Sequence, residues 1–404
     1  MSKNIKLLHI TTVPESFNFF KGQIGYMKAR GVEIHALSSP GDLLTEFGKR
    51  EQVLTYGVAM QRRITPLKDI QSIFQIWQHI QRIGPHIVHT HTPKGGLLGT
   101  IAAWFAGVPV RVYHIHGLPM MTAKGYKRLL LTWSEKISCL LAHQIISVSH
   151  SISKVAVTEG LCPPEKITVL LKGSYNGVDM LGSFNPANLP PNTRQETRKN
   201  YGIPEDAVVV GFVGRLTRDK GVEELAGAWQ ILREEFPNLH LLVVGYFEPQ
   251  DPISTEVKKR LASDPRIHMT GRMSYIPPFY AAMDILILPT YREGLGEVLL
   301  EASAMKLPIV ATDIPGCVDA VENGYTGLLV PPYDIEALAG QIRKYIQNPK
   351  LRYQHGNAGR DRILQEFRQE PIWEGLYQQY LKLLPPDSVP GIEEEMILLH
   401  SKLF

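Results

Sequence analysis

Short apolar runs alternate with longer amphipathic stretches along most of this chain. In the first half the runs are Lys6–Ile10, Val32–Leu37, His86–Thr90, Val110–His114, Gln144–Val148 and Ile167–Leu170. They are too short for helices and continuous enough for strands buried on both faces. Between two of them, Ile70, Ile73, Phe74, Trp77 and Ile80 recur at helical spacing, which predicts a helix with that stripe facing a sheet. The uncharged stretch from Gly95 to Val110 falls short of the ~18 residues needed to span a bilayer and reads as a buried helix followed by a strand.

The alternation breaks between Lys172 and Asn192, where Gly, Ser, Asn and Pro replace apolar runs. That composition marks a domain boundary. A second series follows at Val208–Val213, His240–Val244, Ile267–Met269, Ile285–Leu288, Ile309–Ala311 and Gly327–Val330. One of its helices should turn Leu225, Ala228, Trp229, Leu232 and Phe236 inward, and a last amphipathic helix carries Trp373, Leu376, Tyr377, Tyr380, Leu381 and Leu384. Strand–helix alternation of this kind means βαβ units and parallel sheets, so the fold class is α/β with two Rossmann-like halves. The expected division is 1–180, 181–370, a crossover helix over 371–384 and a tail over 385–404, frayed or holding a small helix at Glu393–Leu399. Two such halves facing each other place ligands at the carboxyl ends of both sheets, in the cleft between them.

With 404 residues the chain has room for two cores. Hydrophobic content of 44% and 20% charged residues describe a soluble globular protein. A balance of 43 basic to 39 acidic residues gives only +4, too weak a bias to argue for nucleic acid. Cys139, Cys162 and Cys317 are odd in number and far apart, against a disulfide framework or zinc motif and in favour of a reducing compartment. The apolar stretch at the N-terminus is short, contains His9 and lacks a cleavage site, so no signal peptide is expected and the location reads as cytoplasmic.

The residues Tyr291-Arg292-Glu293-Gly294-Leu295-Gly296-Glu297-Val298-Leu299-Leu300-Glu301-Ala302 carry the strongest chemical signal. They follow the apolar run Ile285–Leu288 and lead into a good helix former. A turn from strand to helix presents backbone N–H groups and the positive end of a helix dipole, a ready site for phosphate or sugar hydroxyls. Glu293 and Glu301 bracket it, and glycine lets the backbone approach a ligand closely. A second turn, Gly211–Gly221, carries Arg215 and Lys220 before a helix near Val222. Two cations there suit a diphosphate, Arg as a fork and Lys as a point charge; an ordinary solvated basic loop is the competing reading.

His114 and His116 end a predicted strand on one side of it. A satisfied core histidine is the usual meaning, and with no carboxylate or cysteine beside them in sequence no metal is expected. There is also no Asp-x-Asp element. Lys21-Gly22-Gln23-Ile24-Gly25 opens a helix after the first strand but does not match a dinucleotide fingerprint. Lys124, Lys127, Arg128 and Lys136 interleave with Tyr126, Leu129, Leu130, Trp133 and Ile137. Two readings stand level for that helix: a membrane-surface element meeting anionic headgroups, or a helix packed on its own sheet with a solvated basic face.

Together these elements resemble the retaining GT-B glycosyltransferases of family 4, over about residues 4–384. The resemblance rests on Glu293 and Glu301, on Gly214, Arg215 and Lys220, and on His116-Gly117. The stretches His89–Lys94, His116–Pro119 and Lys172–Asp179 are similar to the bacterial CapM/PglA-type subgroup, which transfers N-acetylated sugars, often from UDP donors, to polyprenyl-diphosphate-linked glycans at the cytoplasmic membrane face. The resemblance implies that Arg215 and Lys220 hold the donor diphosphate, that Glu301 accepts from ribose hydroxyls, and that Glu293 sits by the donor sugar. It places backbone amides around Gly294, Leu295 and Gly296 against sugar and phosphate, and His116 near the reacting face. Met273 is assigned to the base pocket, and Gly22 and Lys94 to the acceptor or phosphate loop. No metal or other cofactor is implied, since the nucleotide sugar is a substrate. The expected partners are a UDP-sugar, a lipid-diphosphate-linked glycan and the anionic inner membrane face. A UDP-sugar epimerase and a non-catalytic nucleotide- or glycan-binding partner of a membrane assembly are the alternatives.

Overall fold

The computed structural model describes residues 5–385 apart from 62, 64 and 250. The tail beyond 385, with the small helix expected at Glu393–Leu399, lies outside the described residues. The chain forms two compact units, one holding residues up to Asn176 together with those from Gln369 onward, the other Gly177–Arg368.

The first unit is built on β1 (Ile5–Ile10), β2 (Val32–Ser38), β3 (Leu54–Gly57), β4 (Ile87–His91), β5 (Val110–Ile115), β6 (Gln144–Ser147) and β7 (Ile167–Val169). All pair in parallel, in the order β3-β2-β1-β4-β5-β6-β7. Successive residues serve opposite faces: Leu7, Ile87 and Val112 join one core cluster, Leu8 and Val88 the other. Both faces are covered, which is why these strands read as unbroken apolar runs. The edge strand β3 escaped sequence detection because its residues are half-buried or exposed and give no run.

The helix Pro66–Ile83 corrects the predicted stripe. Ile76, Ile80 and Ile83 are its buried apolar residues, Ile73 and Trp77 flank the core, and Ile70 and Phe74 are exposed. The helix is apolar over a wider arc than a sheet can cover, so the arc alone did not say which edge faces in.

The second unit contains β8 (Val208–Val213), β9 (Leu239–Val244), β10 (Ile267–Gly271), β11 (Ile285–Leu288), β12 (Ile309–Thr312) and β13 (Gly327–Val330). They form a parallel sheet in the order β10-β9-β8-β11-β12-β13. The helix Val222–Glu235 buries Leu225, Ala228, Trp229 and Leu232 against it. After this unit the helix Gln369–Leu383 returns the chain to the first unit, where Leu376, Tyr377, Tyr380 and Leu381 enter the core beside Ile24 and Met27. In each sheet the strand order reverses once, at β1/β4 and at β8/β11, and the crevice at such a point is where open α/β sheets bind ligands.

Candidate functional site

At the β8/β11 switch point two turns meet. The first leaves β8 through Gly214 and Arg215 and tightens into a short 3-10 turn, Arg218–Lys220. The second leaves β11 through Pro289 and runs to Gly296, which opens the helix Glu297–Ala304 with a positive φ of 71°. Asp219 locks them together. Its backbone oxygen accepts from Tyr291 N at 2.8 Å and Thr290 Oγ1 at 2.9 Å, and its carboxylate accepts from Arg292 Nη2 at 2.6 Å. This lock sets Lys220 Nζ on the Glu293 carboxylate. Gly221 completes the junction: a Cβ there would lie 1.8 Å from the Pro289 oxygen. Lys220 and Glu293, far apart in sequence, thus form a partly buried ion pair at the switch point.

Arg215 stays 47% exposed, held loosely by Glu248 at 3.5 Å. It lines a pocket of ≈ 210 Å³ with Gly214, Gly245, Tyr246, Arg272 and Met273. The Arg272 guanidinium lies 5.6 Å over the Tyr246 ring. A cation at the mouth and a flat, partly apolar wall are what a nucleotide requires: charge for phosphate, surface for a base. Gly294 and Leu295 are buried in the turn ahead of the helix. Glu301, at the fifth position of that helix, receives the Tyr280 hydroxyl at 2.8 Å. Burial pushes its carboxyl up to about 7, with the Tyr280 bond pulling the other way.

The first unit treats its assigned residues differently. Gly22 adopts φ 82°, and a Cβ there would meet the Trp373 indole at 2.6 Å, so the last helix occupies the space beside it. Lys94 holds Asp69 at 2.7 Å and Thr65 Oγ1 at 3.3 Å, an internal anchor for the loop before helix Pro66–Ile83. His116, half-buried at the end of β5, stacks 5.2 Å from Phe19 and hydrogen-bonds His91. Burial pushes its imidazole down to about 3, so the ring is neutral.

His116 belongs to a group that sequence reasoning left incomplete. Strand register aligns His9 with His89 and His91 with His114. His9 Nδ1 and His91 Nε2 are 3.0 Å apart, as are His91 Nδ1 and His116 Nε2. Burial lowers all five imidazoles. The signal was present in His89-x-His91, whose spacing repeats that of His114-x-His116 on a neighbouring run. That β1, β4 and β5 adjoin was not visible from chain order.

Helix Gly125–Leu141 is turned inside out relative to an ordinary core helix. It buries Glu135, Ser138 and Cys139, while Tyr126 is 78%, Trp133 58% and Leu140 74% exposed. Glu135 accepts the Tyr113 hydroxyl at 2.6 Å, and burial pushes its carboxyl up to about 7. Arg128 is paired with Glu159 at 2.8 and 2.9 Å, leaving Lys124 and Lys127 exposed on this helix start.

Residues 193–362 match the family described as Glycosyl transferases group 1, and residues 20–173 match the glycosyl transferase 4-like domain. The chain is 34% identical over 378 residues to the Capsular polysaccharide biosynthesis glycosyltransferase CapM of Staphylococcus aureus, covering 94% of this chain and 97% of that protein. It is 28% identical to the UDP-Gal:alpha-D-GlcNAc-diphosphoundecaprenol alpha-1,3-galactosyltransferase of Escherichia coli, covering 76% and 78%. Among solved structures, a glycosyltransferase from Rickettsia africae superposes with a TM-score of 0.77 at 21% identity, covering 95% of this chain and all of that one. That likeness shows the two-unit GT-B fold.

Proposed function

The chain belongs to the group 1 glycosyl transferases, and we propose from that premise that it moves an N-acetylated hexose from a UDP-sugar to a polyprenyl-diphosphate-linked glycan, with retention and without a metal at the donor diphosphate. That it is a glycosyltransferase follows from the family. The observation carrying the finer reading is the junction at the β8/β11 switch point, where Lys220 meets Glu293 and the turn that carries Lys220 also carries the half-exposed Arg215. Lys220 and Arg215 supply the positive charge that a metal gives other transferases, stabilising the diphosphate as it departs. In a retaining reaction of this kind the leaving phosphate takes the acceptor proton on the face it vacates, so no protein nucleophile is needed. Glu293 then positions the sugar. A UDP donor and lipid diphosphate acceptor are supported by the Escherichia coli relative, whose name specifies both.

Thermal unfolding with UDP, GDP and ADP, each with EDTA, tests the donor site. A ligand at 100 times its dissociation constant adds ~2.7 kcal/mol, several degrees in midpoint for a chain of this size. The expected result is a shift with UDP alone that Arg215→Ala removes. No shift with any of the three would favour a non-catalytic partner of a membrane assembly.

The acceptor is a lipid, and the exposed face of helix Gly125–Leu141 suits peripheral contact with anionic membrane. No helix among the described residues is long and apolar enough to cross a membrane. Tyr126 and Trp133 would enter the interface while Lys124 and Lys127 meet headgroup charge. Each large side chain removed from water is worth about 1.5–3 kcal/mol, so Tyr126→Ser with Trp133→Ser should weaken binding to phosphatidylglycerol vesicles at least about tenfold. Co-sedimentation measures it. Unchanged binding would make this face an ordinary solvated surface.

A further inference from the structure

We propose that His91, His114 and His116, all of the first unit, form a binding site for one divalent transition-metal ion of the zinc class. One nitrogen from each of the three lies within 4.8 Å of the other two. His91 Nδ1 and His116 Nε2 are 3.0 Å apart. The edge of a tetrahedron with metal–nitrogen bonds of 2.0–2.1 Å is about 3.3 Å, so an ion replaces the proton shared between these rings with a small outward movement.

Two further observations point to a ligand. His114, the third member of the trio, has its Nε2 buried and without a hydrogen-bond partner among the described residues. A neutral imidazole offers one donor and one acceptor, so a packed group of rings with only two mutual bonds leaves lone pairs unused. The support for these rings is also that of a metal centre. His91 is oriented through its other nitrogen by His9 at 3.0 Å. His89 stacks parallel to His114 at 5.3 Å and is itself held by the Tyr380 hydroxyl at 2.6 Å. Contacts behind the ligands fix tautomer and ring direction in this way.

An all-imidazole donor set selects zinc, cobalt, nickel or copper over magnesium or calcium. A neutral imidazole is the form that binds metal. His9, His89 and His91 make a second trio that shares His91, but all three are fully buried. The half-buried His116 gives the proposed trio its entry path. An ion here would fix the direction of the His116 ring, a role that adds to the donor reading and leaves the diphosphate to Arg215 and Lys220.

The test uses the tag-free full-length chain, stripped with EDTA and titrated with Co2+. The expected result is a saturable visible spectrum of a four-coordinate Co2+ site at about one equivalent per chain, displaced by Zn2+. His91→Ala and His116→Ala should each weaken retention at least about 100-fold, with His116→Gln as a second variant at the half-exposed position. His35→Ala, outside the group, should leave it unchanged. Far-UV circular dichroism checks that each variant is folded. Absence of a saturable spectrum overturns the site, and so does an unchanged spectrum in folded His116→Ala. Loss in His9→Ala with retention in His116→Ala would assign the ion to the deeper trio and overturn the one proposed.

Discussion

Lys220→Ala is expected to lower kcat about 10²–10³-fold, the loss typical when one preorganised partner of developing charge is removed. Lys220 sits on the Glu293 carboxylate at the junction of two turns, held there by the three bonds to Asp219. In the resting molecule its charge offsets that of Glu293. When a nucleoside diphosphate leaves, negative charge grows on phosphate oxygens beside it, and a fixed cation helps most at that moment. Donor KM should change much less than kcat, because on the proposed reading Arg215 and the pocket around Met273 still bind the ground state. Lys220→Arg should restore little, since a broad planar fork does not fit a position set for a point charge. The double variant with Glu293→Gln should lose less than the product of the two single losses, as for residues that act as a unit. Steady-state kinetics with a UDP-sugar and a lipid-diphosphate acceptor decide it. A kcat within about 3-fold of the parent would remove Lys220 from the charge-stabilising role.

What could be read in advance follows from where each signal is encoded. The central strands were legible because burial on both faces forces a local run of apolar residues, as in β8 and β11. Edge strand β3 carries no such obligation, and Leu54-Thr55-Tyr56-Gly57 reads as loop. Glu293, Arg215 and Lys220 stood out because turn chemistry is local. The pairing of Lys220 with Glu293 was not local and needed β8 beside β11. Gly22 illustrates the reverse problem. Its glycine suggested a ligand's approach, and the structure adds a neighbour invisible from local sequence, Trp373, on a helix far along the chain. Helix Gly125–Leu141 was ambiguous because a helical stripe names two faces without saying which meets the sheet. The buried Glu135–Tyr113 bond shows which does.

Gly221→Ala is expected to cost about 10² in kcat/KM and to lower the melting temperature by several degrees. Gly221 has φ 67°, where an L-residue pays about 1–2 kcal/mol. That term alone would not harm catalysis. The larger effect is steric: the new Cβ would sit 1.8 Å from the Pro289 oxygen and 2.5 Å from its carbon. Ordinary contact begins at 3.4 Å, so one side must move by well over an ångström. Pro289 follows β11, whose residues are fully buried between β8 and β12 and resist displacement. The turn carrying Lys220 is the side that yields, and an error of about 1 Å in a reacting group is enough for a loss of that size. Gly202 provides the control. It has the same φ of 67° and nothing within 4 Å of its Cβ position, so Gly202→Ala incurs the conformational cost without the displacement. Differential scanning calorimetry and kinetics on both variants separate the terms. A larger melting shift in Gly221→Ala than in Gly202→Ala, with activity lost only in Gly221→Ala, supports a junction set by close backbone approach. Equal activity in the two would mean that the turn tolerates the displacement, and that the position of Lys220 is governed by Asp219 alone.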